Sequence, residues 1–293
     1  MATPSSLSIR PARLDQADDH FVLTAFDSAL PYLASIGSGA QWGDVPFTAK
    51  PERVKEMHDF CARSDRVRAL EEEQESSAAL QQQGSVVQVP RMEWSKLLIA
   101  EAHTHMETET ETDGTKAIRV AGAGMSLHAP GYVVRALPHI FASPTTLVDR
   151  SSTSNHQADD DGKEDDAPPE FAYLNYLIVH RDPLGFDASN SRSQEGPPAP
   201  APAQIFNPSA SSLTKGAGAL LIKNVAALAS SLRPASTASI PLFVDCWDGN
   251  GAQLVAYYES QGFVSVGTFA VPDKHGAGMP WTGRLLRMDV AVA

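Results

Sequence analysis

Residues 171–179 read FAYLNYLIV, and within them Asn175 is the one side chain that ends in an amide or a charge. Aromatic, aliphatic and β-branched residues in such a run predict a β-strand. Because the apolar character is nearly continuous rather than alternating, that strand must be covered on both faces. A strand buried on both sides belongs inside a sheet that carries helices on each face, which directs the chain to a layered α/β fold.

The neighbouring patterns supply the other layers. Residues 6–12 (SLSIRPA) predict an opening strand closed by Pro11. Over residues 15–35, Phe21, Ala25, Ala29 and Leu33 share one helical face behind an acidic first turn. A second helix is expected from Pro51 through ERVKEMHDFCARSDRVRAL, with proline at a permitted first-turn position. Strands follow at 96–103 and 117–128. After the 171–179 strand come a helix at 217–232, with Leu221, Val225, Leu228 and Leu232 on one face, and a strand at 240–245. A helix at 251–261 and strands at 263–270 and 284–292 close the chain. The order β-α-α-β-β-β-α-β-α-β-β predicts one α/β domain over residues 1–293 with a mixed central sheet.

Polar tracts interrupt this order. Residues 151–170 hold seven acids against Lys163, half of the chain's net charge of −12. With almost nothing to bury, they are expected to be a disordered insert, as is the Pro-, Ala- and Ser-rich stretch 187–212. Residues 73–90 and 105–116 are expected to be flexible loops. No apolar run reaches the ~20 residues of a membrane span. The opening MATPSSLSIRPARLD lacks the charged-then-apolar pattern of a secretion signal. The two cysteines, Cys61 and Cys246, point to a reducing, cytoplasmic setting rather than a disulfide framework. An acidic chain without a basic cluster is a poor partner for nucleic acid. A monomer or homodimer is expected, with no membrane partner.

Two segments carry candidate chemistry. Lys215-Gly216-Ala217-Gly218-Ala219 opens an apolar helix, where free N–H groups and the helix dipole favour anionic oxygens. A plain tight turn explains the same glycines, and the spacing is neither that of a P-loop nor that of a dinucleotide fingerprint. The second segment is Val244-Asp245-Cys246-Trp247-Asp248-Gly249-Asn250, followed by a helix ending Tyr257-Tyr258-Glu259-Ser260-Gln261-Gly262-Phe263. Asn250 stands where an N-cap is wanted and Gly262 where a C′ glycine ends a helix. Tyr258 reads equally as a core tyrosine.

Together, the strand, the glycine turn with its helix, the next strand, Asn250 and the Tyr-Glu-x-x-Gly-Phe helix end resemble the GNAT superfamily of acetyl-CoA-dependent N-acetyltransferases. The resemblance runs over residues 6–292, interrupted by the inserts, and is densest over 171–263. It implies an acyltransferase that moves an acetyl group from acetyl-CoA to an amine, the acceptor being a small molecule or a peptide. Backbone groups of Leu177, Ile178 and Val179 would meet the pantetheine arm. The turn of Gly216, Ala217, Gly218 and Ala219 would bind the pyrophosphate, Asn250 and Tyr258 would contact the donor, and Tyr258 would protonate the departing thiolate. The family places Arg or Gln three residues before the first glycine, where this chain has Leu213, and Lys215 is the nearby cation. The family also passes from strand to glycine turn in a few residues, whereas residues 182–214 intervene here.

On the acceptor side, Gln41 and Trp42 lie in a Gly-Ser-Gly-Ala-Gln-Trp-Gly segment that resembles one found in a group of small bacterial GNAT proteins. Trp42 reads as a pocket wall or as a cap on the core. Glu101, Asn175 and Tyr176 are candidates, by strand position, for deprotonating or lining the acceptor, while a strand glutamate also reads as a surface residue. His103 and His105 have the spacing of two ligands on one strand face, but without a further cysteine or histidine pair no metal is expected. Neither cysteine sits in a nucleophile motif, so direct attack in a ternary complex is expected. Two other readings stay open: a GNAT-like domain that binds acyl-CoA or a partner without catalysis, and a nucleotide-binding module built on Val120-Ala121-Gly122-Ala123-Gly124.

Overall fold

The computed structural model describes residues 4–79, 93–106, 114–141, 170–183, 213–232, 237–272 and 280–291. The expected inserts at 151–170 and 187–212 lie outside the described residues except for Glu170. Strand β1 (Pro4–Pro11) leads to helices α1 (Asp18–Ser35) and α2 (Pro51–Ala79), then strands β2 (Ser95–Met106) and β3 (Gly114–Ser126). Two short helices, α3 (Gly131–Ala136) and α4 (Pro138–Phe141), precede β4 (Ala172–Val179). Helix α5 (Ala217–Ser231), β5 (Ser239–Trp247), α6 (Gln253–Ser260), β6 (Val264–Val271) and β7 (Trp281–Ala291) follow. The strands form one seven-stranded mixed sheet in the order β1-β2-β3-β4-β5-β7-β6. Only β4 and β5 pair in parallel among these neighbours. The fold is therefore a mixed α/β sandwich with β4 at its centre, as the FAYLNYLIV run requires.

Each face has its own apolar packing. Ala172 and Leu174 of β4 join Leu221, Val225 and Ala229 of α5 on one face, where Val255 and Tyr258 of α6 also pack. On the other face, Phe21, Val22, Ala25 and Phe26 of α1 and Met57, Phe60 and Cys61 of α2 cover Leu97, Ile99 and Ile178. Val133 and Leu137, from α3 and its exit, cover Tyr173, Phe243, Phe269 and Leu285. These two short helices had no strong periodic signal and were absent from the sequence reading.

Several boundaries differ from expectation, among them the starts of β1 and β7 and the end of β5. Helix α2 runs through residues 73–79, part of a stretch expected to be a flexible loop. Ion pairs one turn apart, such as Lys55–Asp59 and Arg68–Glu72, show how a polar helix is supported without a continuous apolar face. Strands β2 and β3 extend toward each other, so His105, Met106 and residues 114–116 are paired rather than forming the expected loop. Residues 107–113 lie outside the described residues.

A buried carboxylate fixes how α1 meets the sheet. The Asp18 side chain is fully buried and accepts bonds from Arg10 at 2.6 and 3.1 Å, Arg119 at 3.0 Å and the Arg13 N–H at 2.8 Å. Arg10 also bridges to Glu101 at 2.7 Å. Asp18 thus joins β1, β2, β3 and the first turn of α1, where a negative charge is favoured by the helix dipole. Removing a charge so placed takes from Arg10 and Arg119 the buried carboxylate they share, although Arg10 keeps Glu101 and Arg119 keeps the Gln16 carbonyl. Asp18→Ala is expected to destabilise the fold by about 3–5 kcal/mol in urea unfolding, while an exposed pair such as Arg13–Asp15 changes it by less than about 1 kcal/mol.

Candidate functional site

The centre of the sheet opens. Strands β4 and β5 pair only at Ala172–Leu242, Tyr173–Phe243 and Leu174–Val244. Beyond Leu174, β4 continues to Val179 along β3, and β5 continues to Trp247 along β7. Among the described residues, the facing edges of 175–179 and 245–247 have no ladder partner across this gap. Backbone N–H and C=O groups are obligatory hydrogen-bonding groups, so this wedge offers donors and acceptors to a ligand lying along β4. Of the sequence candidates, Leu177, Ile178 and Val179 all lie on this edge.

A β-bulge marks the level where the strands part. Gly124 pairs with Tyr176 and Met125 with Leu174, which leaves Asn175 as the extra residue. The bulge reverses the alternation: Leu174 and Leu177 both face α5, while Tyr176 and Ile178 face α1 and α2. The Asn175 Oδ1 and Tyr176 hydroxyl are buried and have no hydrogen-bond partner among the described residues. Tyr176 is packed edge-on to Phe26 and Phe60 and lies over Gly124, where a Cβ would come within 2.6 Å of its hydroxyl. Burial pushes the Tyr176 phenol well above its ordinary value.

Helix α5 begins beside the gap. Gly216 is its N-cap, in the left-handed region at φ 82°, which glycine adopts without penalty. Ala217 and Gly218 are buried, Ala219 is half-buried and Lys215 is exposed at the turn. A Cβ on Gly218 would lie 2.7 Å from the Tyr257 hydroxyl and 3.7 Å from Val179 Cγ2. Tyr257 therefore spans from α6 to the glycine turn, next to the end of β4. Tyr258 points inward and is 5% exposed, with its ring edge-on to Phe263 at 5.7 Å. Burial holds the Tyr258 hydroxyl protonated far above neutral pH. The turn thus brings Tyr257 to the mouth of the gap and puts Tyr258 deeper. Leu213 is 3% exposed and packs in the core, so it offers no charge to this turn.

The strap between α1 and α2 closes the wedge from the other side. Gly37 and Ser38 end α1 in a Schellman arrangement, with Ser38 N–H bonded to Leu33 O and Gly37 N–H to Ala34 O. Asn250 Nδ2 then donates to Ser38 Oγ at 2.7 Å, and Trp281 Nε1 donates to the Gln41 carbonyl at 3.0 Å. Asn250 is not the expected N-cap. It sits at φ 50° in a left-handed turn with Gly251 and Ala252, and Ala252 precedes α6. Trp42 is half-buried against Phe26 and Phe47 at centroid distances of 5.0 and 6.0 Å. Leu30, Pro31 and Ala34 of α1, with Gly39, Gly43 and Asp44 of the strap, line an adjacent open cavity of about 400 Å³.

Asp245 is the first β5 residue past the paired segment. Its Oδ1 accepts from the Tyr173 hydroxyl at 2.6 Å and its Oδ2 from the Tyr132 hydroxyl at 2.8 Å. Burial, and then the Asp245 charge, push both phenols up. Nothing local in the sequence marks Asp245, because these partners lie 72 and 113 residues away. By contrast, Glu101 lies on β2 at the β1 side of the sheet, paired with Arg10, and is not brought to the gap. His103 hydrogen-bonds Ser8 at 2.6 Å on the same edge, and the side chain of His105 lies outside the described residues. Gly122 and Gly124 of the 120–124 segment lie inside β3 and do not form a phosphate loop.

Fold and site define a mixed α/β protein whose central parallel strands part after three pairs and leave a wedge between them. No protein-family model matches the chain. Among curated proteins, none matches it significantly. No helix among the described residues is long and apolar enough to cross a membrane.

His180, directly after β4, gives the wedge a pH signature. It is stacked on Phe21 and accepts the Asp182 N–H at Nδ1, 3.1 Å away. Desolvation lowers its pKa from 6.5 to about 4. The folded imidazole stays neutral where the unfolded one takes a proton, so stability is fully present above pH 6.5 and falls between about 6.5 and 4. The loss is on the order of 3 kcal/mol. His180→Gln, which keeps an acceptor, should flatten that limb when denaturation is followed across this range. An unchanged slope would assign the acid sensitivity elsewhere.

Proposed function

We propose that this chain is a GNAT-type N-acetyltransferase that transfers an acetyl group from acetyl-CoA to an amine by direct attack in a ternary complex. The observation that carries the reading is the wedge. A bulged β4 parts from β5 after three pairs, and a glycine-capped helix starts beside its open end. An extended pantetheine arm matches the unpaired edge of residues 177–179, and the N–H groups of the Gly216 turn suit a pyrophosphate.

The chemistry follows from this placement. The amine nitrogen attacks the thioester carbonyl carbon, and backbone N–H groups at the bulge stabilise the developing oxyanion. The C–S bond then breaks, Tyr258 gives its proton to the leaving thiolate, the extra proton on nitrogen passes to water, and water returns a proton to the Tyr258 phenolate, which restores the enzyme. Both thiols are buried, and burial pushes Cys246 up to about 12 and Cys61 higher still. Neither is a thiolate at neutral pH, which favours direct attack over an acyl-cysteine intermediate. The buried free thiols also agree with a reducing, cytoplasmic setting.

The direct test is release of free CoA thiol from acetyl-CoA across a panel of amines, with binding followed by calorimetry. Gly218→Val places a side chain where Tyr257 and the donor must meet. The close contact is with the far end of the Tyr257 side chain, so the circular dichroism spectrum should stay folded while acetyl-CoA affinity falls at least about tenfold. Unchanged affinity would remove the donor site from this turn. Tyr258→Phe keeps the ring and its packing on Phe263. It should lower kcat by about 10²-fold or more with little change in donor affinity. Wild-type turnover in Tyr258→Phe, with a slow Tyr257→Phe, would transfer the acid role to the hydroxyl that lies over the glycine turn.

A further inference from the structure

We infer that the cavity between the outer side of α1 and the strap after it binds a lipophilic cation, an apolar chain carrying one positive charge, with Asp44 as the counter-charge. The inference does not rest on the acetyltransferase reading. The face of α1 turned to the sheet carries Phe21, Val22, Ala25, Phe26 and Ala29. At about 100° per residue, Leu30, Pro31 and Ala34 lie about 100–200° around the helix from Ala29, on the side away from the sheet. Leu30 is buried all the same, at a point where the strap faces the helix. Leu30, Pro31 and Ala34 form one wall of the cavity of about 400 Å³, and Gly39, Gly43 and Asp44 form the other. The cavity is thus separated by α1 from the sheet and from the wedge between β4 and β5.

The walls are fixed and the space between them is left by small residues. Ser38 is tied to Asn250, the Gln41 carbonyl to Trp281, and the N–H groups of Phe47 and Thr48 to the Asp27 carboxylate on α1. Between these anchors Ala34, Gly39 and Gly43 offer no side chain beyond a methyl group. A concave site of this size, with apolar walls and one convergent polar group, has the form of a small-ligand pocket. The polar group is Asp44, which is exposed and has no hydrogen bond or ion pair among the described residues. Two neighbouring cations are engaged on aromatic rings instead: Arg181 lies 3.7 Å over Tyr32, on the other flank of α1, and Lys50 lies 4.8 Å over Phe47. Ile36 and Val45, which flank the lining in sequence, are exposed and add apolar surface to the same segment. The net charge of −12 also attracts cations and repels anions. An alkyl chain along Leu30 and Ala34 with its charged end at Asp44 satisfies both features of the site.

The test is a ligand-observed NMR titration of the full chain with butyl-, hexyl- and octyltrimethylammonium, at about 0.15 M salt so that the net charge is screened. Affinity should rise about threefold for each added methylene, because each one enters the apolar cavity. Hexyltrimethylammonium should bind about tenfold more tightly than hexane-1-sulfonate, which carries the same chain and the opposite charge. Asp44→Asn should reduce that preference at least about threefold, the scale of an exposed ion pair. Gly39→Leu fills the space, since a Cβ there meets Ala34 only at 3.6 Å or more. It should weaken hexyltrimethylammonium at least about tenfold with the melting temperature unchanged. Affinity that does not grow with chain length, or a charge preference that survives Asp44→Asn intact, overturns the inference. Both readouts stand without Gly39→Leu should that variant fail to fold. The quaternary nitrogen has no lone pair to accept an acetyl group. Binding without thiol release therefore leaves this site in place and counts against the acetyltransferase reading alone, while thiol release without this binding overturns the site and keeps the enzyme.

Discussion

Parallel pairing between β4 and β5 that stops after three residues is the constraint on which the rest of this structure depends. A sheet cannot open at its centre unless each half is held from outside. Here β4 is laddered to β3 through Val179, and β5 to β7 from Ser239 to Trp247. The bulge at Asn175 begins the separation by bending β4 and turning the next residues to new faces. At the far end, the Ser38–Asn250 and Gln41–Trp281 bonds connect the strap after α1 to the exit of β5 and the start of β7. The gap is therefore bounded by paired strands on both sides and bridged by the strap at its open end.

The turn at that end carries strain. Asn250, Gly251 and Ala252 occupy the left-handed region in succession, at φ 50°, 64° and 57°. Glycine accepts this freely, but each of the other two costs about 1–2 kcal/mol. One side-chain bond, from Asn250 to Ser38, returns on the order of 1 kcal/mol. The turn directs the first residues of α6 so that Tyr258 enters the core while Tyr257 reaches Gly218. Strained backbone at the rim of a cleft is a recognised mark of functional sites, and here it decides which of two adjacent tyrosines faces the gap.

Periodic segments were legible because their pattern is local. The FAYLNYLIV strand, the α5 stripe of Leu221 and Val225, and the glycine that ends α6 all appear where their sequences require. Gly262 is at φ 96°, with Phe263 N–H bonded to Tyr258 O. What sequence could not supply was long-range pairing. Glu101 looked like a candidate base until Arg10 took its carboxylate, and Asn250 looked like an N-cap until Ser38, 212 residues earlier, took its amide. Asp245 carried no local signal because both tyrosines that define it come from distant elements. Asn175 was visible in the string as the one amide of an apolar run, but its meaning depended on β3 supplying one residue against two.

The two halves of the chain contribute differently to the site. Residues 18–60 build one wall almost entirely from aromatic and aliphatic contacts, with Phe26, Trp42, Phe47, Phe60 and Tyr176 in edge-on or stacked contact. Residues 213–263 supply the glycine turn, the two tyrosines and Asp245, the groups suited to charge and proton transfer. Only β4 belongs to both, since its bulge presents Tyr176 to the aromatic wall and leaves the edge of 177–179 toward the glycine turn. A substitution that restored regular alternation at Asn175 would exchange these faces, sending Tyr176 toward α5 and Leu177 toward α1. Donor edge and aromatic wall are thus coupled through one extra residue, which explains why the only strongly polar side chain of the run stands at that position.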